Sequence, residues 1–143
     1  MIFFVIIGLI ILCYIFFCKK PAATKELKKV QTFDYPTPSD YIHYASGQVA
    51  GLYFRKKEAK AFAGSSDQSL EFEREPDNLH DKNAIKIIGI THSSRYFIGY
   101  IDKDLAKQII ETGVLPGIQI QLTRIYQGYN DYIEIQFNII GLI

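Results

Sequence analysis

The chain has 143 residues, and its 16 lysine and arginine residues against 15 aspartate and glutamate residues give a formal net charge of +1. This length allows one compact domain and excludes a motor ATPase or a multi-domain enzyme. Residues 19–29 hold five lysines and one glutamate, which leaves 11 basic and 14 acidic residues from residue 30 onward, a net charge of −3. Domains that coat long duplexes by neutralising phosphates are normally basic, so the sequence argues against that mode of binding.

Residues 1–18 read MIFFVIIGLIILCYIFFC and contain no charged side chain. As a helix rising about 1.5 Å per residue they would be about 27 Å long, close to the hydrocarbon thickness of a bilayer. A cleaved signal peptide would carry basic residues before the apolar run and small residues at a cleavage site after it. Here the lysines follow the run, and a lipoprotein signal or a buried core helix fits less well. We therefore predict a transmembrane anchor over residues 1–20.

The charges beside the anchor predict its orientation. The lysines that follow it are Lys19, Lys20, Lys25, Lys28 and Lys29. By the positive-inside rule, the N-terminus of this single-pass membrane protein should be outside and the C-terminal domain cytoplasmic. Both cysteines of the chain lie within the apolar run, which fits a reducing compartment for the remainder. The same lysines can contact anionic lipid headgroups.

Residues 21–46 are predicted to be a linker, because Pro36 and Pro38 oppose regular structure and the apolar residues show no clean period. Residues 47–143 have the pattern of a mainly β (α+β) domain, a small OB-like or SH3-like β-barrel of about six strands with two helices. Strands are predicted over residues 47–54, 70–75, 83–90, 96–101, 118–126 and 132–139. Helices are predicted over residues 55–63 and from the Asp102 cap to Gly113.

The most informative segment is the polar run EREPDNLHDKNAI at residues 73–85, followed by IGYI at residues 98–101 and a helix that begins near Asp102. These motifs resemble the HIRAN domain, whose usual run is R-E-P-x-N-x-x-D-x-N-A-I, followed by a strand with G-x-(I/V) and a helix bearing L-A. The resemblance covers about residues 49–113. It implies an OB-like barrel that binds DNA, in some members the 3′ end of single-stranded DNA, within proteins that usually also carry a helicase or a nuclease.

The resemblance implies roles for individual residues. Asp81 would accept a hydrogen bond from a terminal 3′-hydroxyl, and its negative charge would repel a phosphate at the same place. Phe54 would stack on a base. Tyr100, after the strand glycine, would contact the nucleic-acid backbone. Arg55 and Lys82 would pair with phosphates.

Two further loop residues complete the predicted site, and both have alternatives. Asn78 would bond the end nucleotide or hold the loop, since Asn78 and Asp81 are also typical of turns whose side chains bond nearby backbone N–H groups. His80 stands where DNA-capturing members have a stacking tyrosine. Tyr53 stands where an arginine is expected, unless Arg55 substitutes from a shifted register. These departures predict weaker, altered or lost binding of DNA ends.

The sequence contains no pattern typical of catalysis or of a cofactor site. Asp77, Leu79 and Asp81 do not supply the alternating oxygens of a calcium loop, and the histidines are scattered. We therefore predict no enzyme activity, no cofactor and no bound metal. The leading hypothesis is a membrane-tethered module for single-stranded DNA 3′ ends, with a helicase or nuclease partner in trans. The alternatives are a membrane-anchored protein-interaction adaptor and a minimal metal nuclease that uses Glu75, Asp77 and Asp81.

Overall fold

The computed structural model describes residues 28–142. Within this part of the chain no helix is long and apolar enough to cross a membrane. The predicted anchor over residues 1–20 lies outside the described residues. The strands are β1 (Lys29–Thr32), β2 (Tyr41–Gln48), β3 (Ser69–Arg74), β4 (Ile85–Ile90), β5 (Arg95–Tyr100), β6 (Ile118–Gln127) and β7 (Ile133–Leu142). The helices are α1 (Lys56–Ala63) and α2 (Lys103–Thr112), with short 3₁₀ helices at Leu52–Arg55 and Leu115–Gly117.

The strands form two antiparallel sheets. One has the order β1-β6-β7-β2 and the other the order β3-β4-β5. The prediction of a mainly β domain with two helices is confirmed. The predicted OB-like or SH3-like barrel of about six strands is replaced by two open sheets with seven strands among the described residues, because β3 packs beside β6 without joining its ladder of hydrogen bonds.

The segment predicted as a linker differs from expectation, because it contributes β1 and β2. Pro36 and Pro38 fall between these two strands, outside both ladders of hydrogen bonds, so they do not prevent either strand from pairing. The β2 strand pairs with β7 along its length, with a bulge between His43 and Ala45. A bulge shifts the alternation of side chains by one residue, which explains why this segment shows no clean strand period.

The core lies between the two sheets and the helices. The alternating apolar residues of β6 and β7 point inward, and Leu122, Ile135, Phe137 and Ile139 are almost completely buried. The α1 helix contributes Phe62, whose ring lies against Gly89 of β4 so closely that a Cβ atom there would be 2.6 Å from it. The α2 helix begins as predicted, since the Asp102 side chain accepts hydrogen bonds from the backbone N–H groups of Asp104 and Leu105.

The strand predicted over residues 47–54 ends early. After β2 ends at Gln48, Ala50 forms an isolated bridge to Tyr100, and Gly51 turns the chain with a φ of 80° into the 3₁₀ helix. This turn buries Leu52 and exposes the side chains that follow it. Phe54 is therefore on a helical turn that projects into solvent, and not on a strand as predicted.

Candidate nucleic-acid interface

The loop between β3 and β4 is held by hydrogen bonds from its own polar side chains. Asn78 Oδ1 accepts from the backbone N–H groups of His80 at 2.9 Å and Asp81 at 3.0 Å. Asp81 Oδ1 accepts from the backbone N–H of Asn83 at 2.9 Å. Both side chains therefore make the local turns that were the alternative to direct ligand contact. These hydrogen bonds define the shape of the loop.

Glu75, at the end of β3, ties this loop to two neighbouring strands. Its Oε2 accepts hydrogen bonds from Asn78 Nδ2 at 2.6 Å and from the Tyr100 hydroxyl at 2.9 Å. Its Oε1 lies 3.0 Å from Lys86 Nζ on β4. The hydrogen bond from Asn78, followed by that from Lys86, lowers the pKa of Glu75 to about 2. A carboxylate in a candidate nucleic-acid site would repel phosphate, but here cationic and neutral donors surround it.

Tyr100 is fixed at the end of β5 through both its side chain and its backbone. Burial first, and then the hydrogen bond to Glu75, raise the pKa of its hydroxyl. Its ring packs edge-on against Phe97 with the centroids 5.1 Å apart. Its backbone exchanges two hydrogen bonds with Ala50, at 2.8 and 2.9 Å. This bridge brings the 3₁₀ helix next to the loop.

Two cations lie over the ring of Phe97. The Arg55 guanidinium carbon is 4.2 Å from the ring centroid, and Lys86 Nζ is 5.4 Å from it. A cation over an aromatic face is attracted by the negative charge density of the ring. Phe97 packs on Tyr100 and therefore positions the positive charge of Arg55 near Tyr100.

Large aromatic side chains project from the 3₁₀ helix. Tyr53 is 73% exposed and Phe54 is 84% exposed, and their rings meet edge-on at 5.4 Å. Lys56 Nζ lies 4.6 Å from the centroid of Tyr53. Exposed aromatic rings interleaved with cations are typical of surfaces that bind single-stranded nucleic acids by stacking and charge.

The structure brings Asn78 and Tyr100 together around Glu75, while Arg55 lies over Phe97 and Phe54 is on the adjoining turn. His80 and Lys82 are exposed on the loop, and Asp81 is half-buried at its end. Lys86 and Phe97 were not predicted from the sequence, and Glu75 was predicted only as a motif residue or a metal ligand. Glu73 stands opposite Lys86 only through the register of β3 and β4, so no local sequence signal indicated this charged cluster. Among residues 28–142, no group of three or more histidine, cysteine or acidic side chains is arranged to hold a metal.

These features define a small, mainly β module with a structured polar loop beside exposed aromatic and cationic side chains. The family model of the HIRAN domain matches residues 42–141, so the chain belongs to the HIRAN domain family, which is generally a nucleic-acid-binding module. Among solved structures, the chain is similar to the HIRAN domain of human HLTF, with 20% identity and a TM-score of 0.41 over 74% of this chain and 84% of that one. No curated protein matches the chain.

The lowered pKa of Glu75 leads to a prediction about stability and pH. A carboxyl whose folded-state pKa falls from 4.5 to about 2 stabilises the fold fully above pH 4.5 and loses this contribution as the pH falls toward 2. Glu75→Gln should therefore lower the free energy of unfolding at neutral pH, and its difference from the wild type should shrink between pH 4.5 and 2. Urea unfolding at several pH values measures this difference. Glu111→Gln, which removes an exposed pair with Lys107, is the control and should change stability little. A difference for Glu75→Gln that stays constant over that range would contradict the prediction.

Proposed function

We propose that the domain binds the 3′ end of single-stranded DNA at the surface formed by Phe54, Arg55, Asp81 and Tyr100. The observation that carries the proposal is the 84% exposed ring of Phe54 beside Arg55 and the structured loop. Its ring meets the exposed ring of Tyr53, and adjoining exposed rings beside a cation offer faces on which bases can stack. The net charge of −3 from residue 30 onward fits a small pocket that binds the end of a DNA strand. It does not fit a surface that binds along the phosphates of a duplex.

Each of these side chains has a distinct role in the proposed complex. Phe54 stacks on a base, and Arg55, held over Phe97, faces a phosphate. The Asp81 carboxylate accepts a hydrogen bond from the 3′-hydroxyl. It has acceptor positions for this bond because the backbone N–H of Asn83 uses only one of them. Tyr100 contacts the sugar–phosphate backbone. Asn78 acts mainly by shaping the loop, while the exposed side chains of His80 and Lys82 contact the end nucleotide and a phosphate.

The selectivity for a free end is tested with two oligonucleotides that differ only at the 3′ terminus. The full chain, in lipid nanodiscs, is titrated by fluorescence anisotropy with a 3′-hydroxyl and a 3′-phosphate oligonucleotide. We expect about 10-fold tighter binding of the 3′-hydroxyl form, the scale of one hydrogen bond to a charged group. Asp81→Asn should reduce this ratio, and Asp77→Asn in the same loop should preserve it. Equal affinity of the wild type for both oligonucleotides would refute the proposal.

We further propose that residues 1–18 anchor the domain to a membrane, with the N-terminus outside and the domain on the cytoplasmic side. The uncharged run and the five lysines that follow it support this topology. Two measurements test this topology. The chain should resist extraction by carbonate, and protease should digest the domain only when it is added from the cytoplasmic side. We also propose that the domain acts with a helicase or nuclease in trans, by binding and without catalysis. Cleavage of the oligonucleotides in the presence of Mg²⁺ would contradict the last point.

A protein-interaction adaptor is the second candidate function. It is favoured by the acidic net charge and by the use of Asn78 and Asp81 in turns of their own loop. A folded chain that binds neither oligonucleotide above background, and that co-purifies with one specific protein, would favour the adaptor over DNA-end binding.

A further inference from the structure

Next to the candidate DNA site is an open cleft of about 570 Å³ between the 3₁₀ helix and the turn that joins β6 to β7. Three tyrosines line it, and they are unusually exposed: Tyr53 at 73%, Tyr129 at 46% and Tyr132 at 52%. Single exposed aromatic residues need no explanation, but three on one face indicate an interaction surface. We call Tyr53, Tyr129 and Tyr132, with Lys28 and Lys56, the tyrosine face.

Lysines border the tyrosine face. Lys28 Nζ lies 5.4 Å from the ring centroid of Tyr129, and Lys56 Nζ lies 4.6 Å from that of Tyr53. Of the two acidic side chains at the hairpin, Asp131 pairs with Lys60. Glu134 keeps its negative charge, because its hydrogen-bond donors are the neutral Tyr132 hydroxyl and Gln136 amide. Lys28 and Lys56 together outweigh this one carboxylate, so the face combines aromatic rings with positive charge for an anionic partner.

The path of the chain places this face near the predicted anchor. The β1 strand pairs with the end of β6, with Lys29 opposite Gln127, so the chain enters the domain beside the hairpin. Nine residues, 19–27, separate the apolar run from Lys28. Even fully extended they span only about 30 Å, at about 3.3–3.6 Å per residue. Three of these nine residues are lysines. The opposite end of the sheet, where Leu142 pairs with Tyr41, is farther along the strands from this entry point.

We propose that the tyrosine face rests on the surface of an anionic phospholipid bilayer. Tyrosine rings are enriched at the level of the headgroups, where the ring contacts acyl chains and the hydroxyl stays hydrated. Lysines near an anionic surface are attracted to it. The proposal rests on the proposed anchoring by residues 1–18, which holds the domain within reach of the bilayer. Tyr53 of the tyrosine face is next to Phe54 of the DNA site. Contact of the tyrosine face with the bilayer would therefore place the DNA site at the edge of the membrane contact.

The absence of tryptophan from the sequence makes a direct test possible. The full chain with Tyr129→Trp is placed in nanodiscs of phosphatidylcholine, with or without phosphatidylserine, in which some acyl chains are brominated. The matched control is Leu142→Trp, at an exposed position at the other end of the sheet. We expect the fluorescence of the tryptophan at position 129 to shift to the blue and to be quenched about twofold more with phosphatidylserine present. The tryptophan at position 142 should stay unquenched.

The outcomes separate this inference from the anchoring on which it rests. Release of the chain by carbonate overturns both. The chain could instead stay in the bilayer without quenching at position 129, or with equal quenching at positions 129 and 142. Either result overturns the contact of the tyrosine face with lipid and leaves the anchoring intact. A response of the tryptophan at position 129 to a single-stranded oligonucleotide, but not to lipid, would make this face part of the DNA surface and overturn lipid contact. Tyr132→Trp repeats the measurement if Tyr129→Trp does not fold.

Discussion

Replacing Gly99 with alanine is expected to lower the free energy of unfolding by about 3 kcal/mol, from the combined cost of overpacking and backbone strain. Gly99 has a φ of 156°, and a Cβ atom added there would lie 2.3 Å from the Ala50 carbonyl oxygen and 2.6 Å from a methyl group of Val49. The two paired backbones would have to separate. Because this pairing carries the bridge between Ala50 and Tyr100, the variant should also weaken binding of single-stranded DNA. Urea unfolding followed by circular dichroism measures the first effect.

Gly117→Ala provides the control for the expected loss of stability. Its added methyl group would meet nothing within 4 Å, and its backbone is not in the left-handed region. This variant should be about as stable as the wild type. If Gly99→Ala were no less stable than Gly117→Ala, the close approach between β5 and the chain at Ala50 would be absent in solution.

The sequence predicts the second half of the fold well, because there the local signals agree with the tertiary packing. In β6 and β7 apolar and polar residues alternate regularly, and the inward set is buried. In α2 an aspartate cap begins the helix and Gly113, with a φ of 68°, ends it. Such signals are readable because each is complete within a few residues.

The first half of the fold is less predictable, because it depends on partners far away in the sequence. The β1 strand has four residues, and only its pairing with the end of β6 makes it a strand. The bulge in β2 removes the alternation by which that strand would be recognised. The early end of β2 depends on the bridge from Ala50 to Tyr100, which no local pattern indicates.

In the candidate site, too, locally determined features were predictable from the sequence and features that depend on distant residues were not. The motif located the loop and the turn residues Asn78 and Asp81, since their hydrogen bonds are local. It could not show that Glu75 would be the centre of the cluster, because Lys86 and Tyr100 reach Glu75 only through the pairing of β3, β4 and β5. Spacing within one strand does not determine which residues stand opposite each other on the next.

The pairing of the strands also modifies what the net charge of −3 means. The acidic residues on β3 face cations on β4 and β5. Glu73 Oε1 lies 3.4 Å from Lys86 Nζ on β4, and Glu71 Oε2 lies 2.7 Å from the guanidinium of Arg95 on β5. The negative charge on this side is therefore compensated within the sheet. Arg55 instead lies over the ring of Phe97, and its charge remains available to a polyanion at the site.

Phe54→Ala is expected to weaken the binding of single-stranded DNA about 10-fold to 100-fold, the range measured when a stacking aromatic side chain is removed. The free energy of unfolding should change little, because the ring is 84% exposed. Anisotropy titrations of the full chain with the 3′-hydroxyl oligonucleotide measure the loss, and Phe54→Tyr should restore most of the affinity because it keeps a ring that can stack. Leu142→Ala, which removes an exposed apolar side chain at the far end of the sheet, should bind as the wild type does. Equal losses for Phe54→Ala and Leu142→Ala, or none for either, would mean that bases do not stack on this turn and would favour the adaptor function.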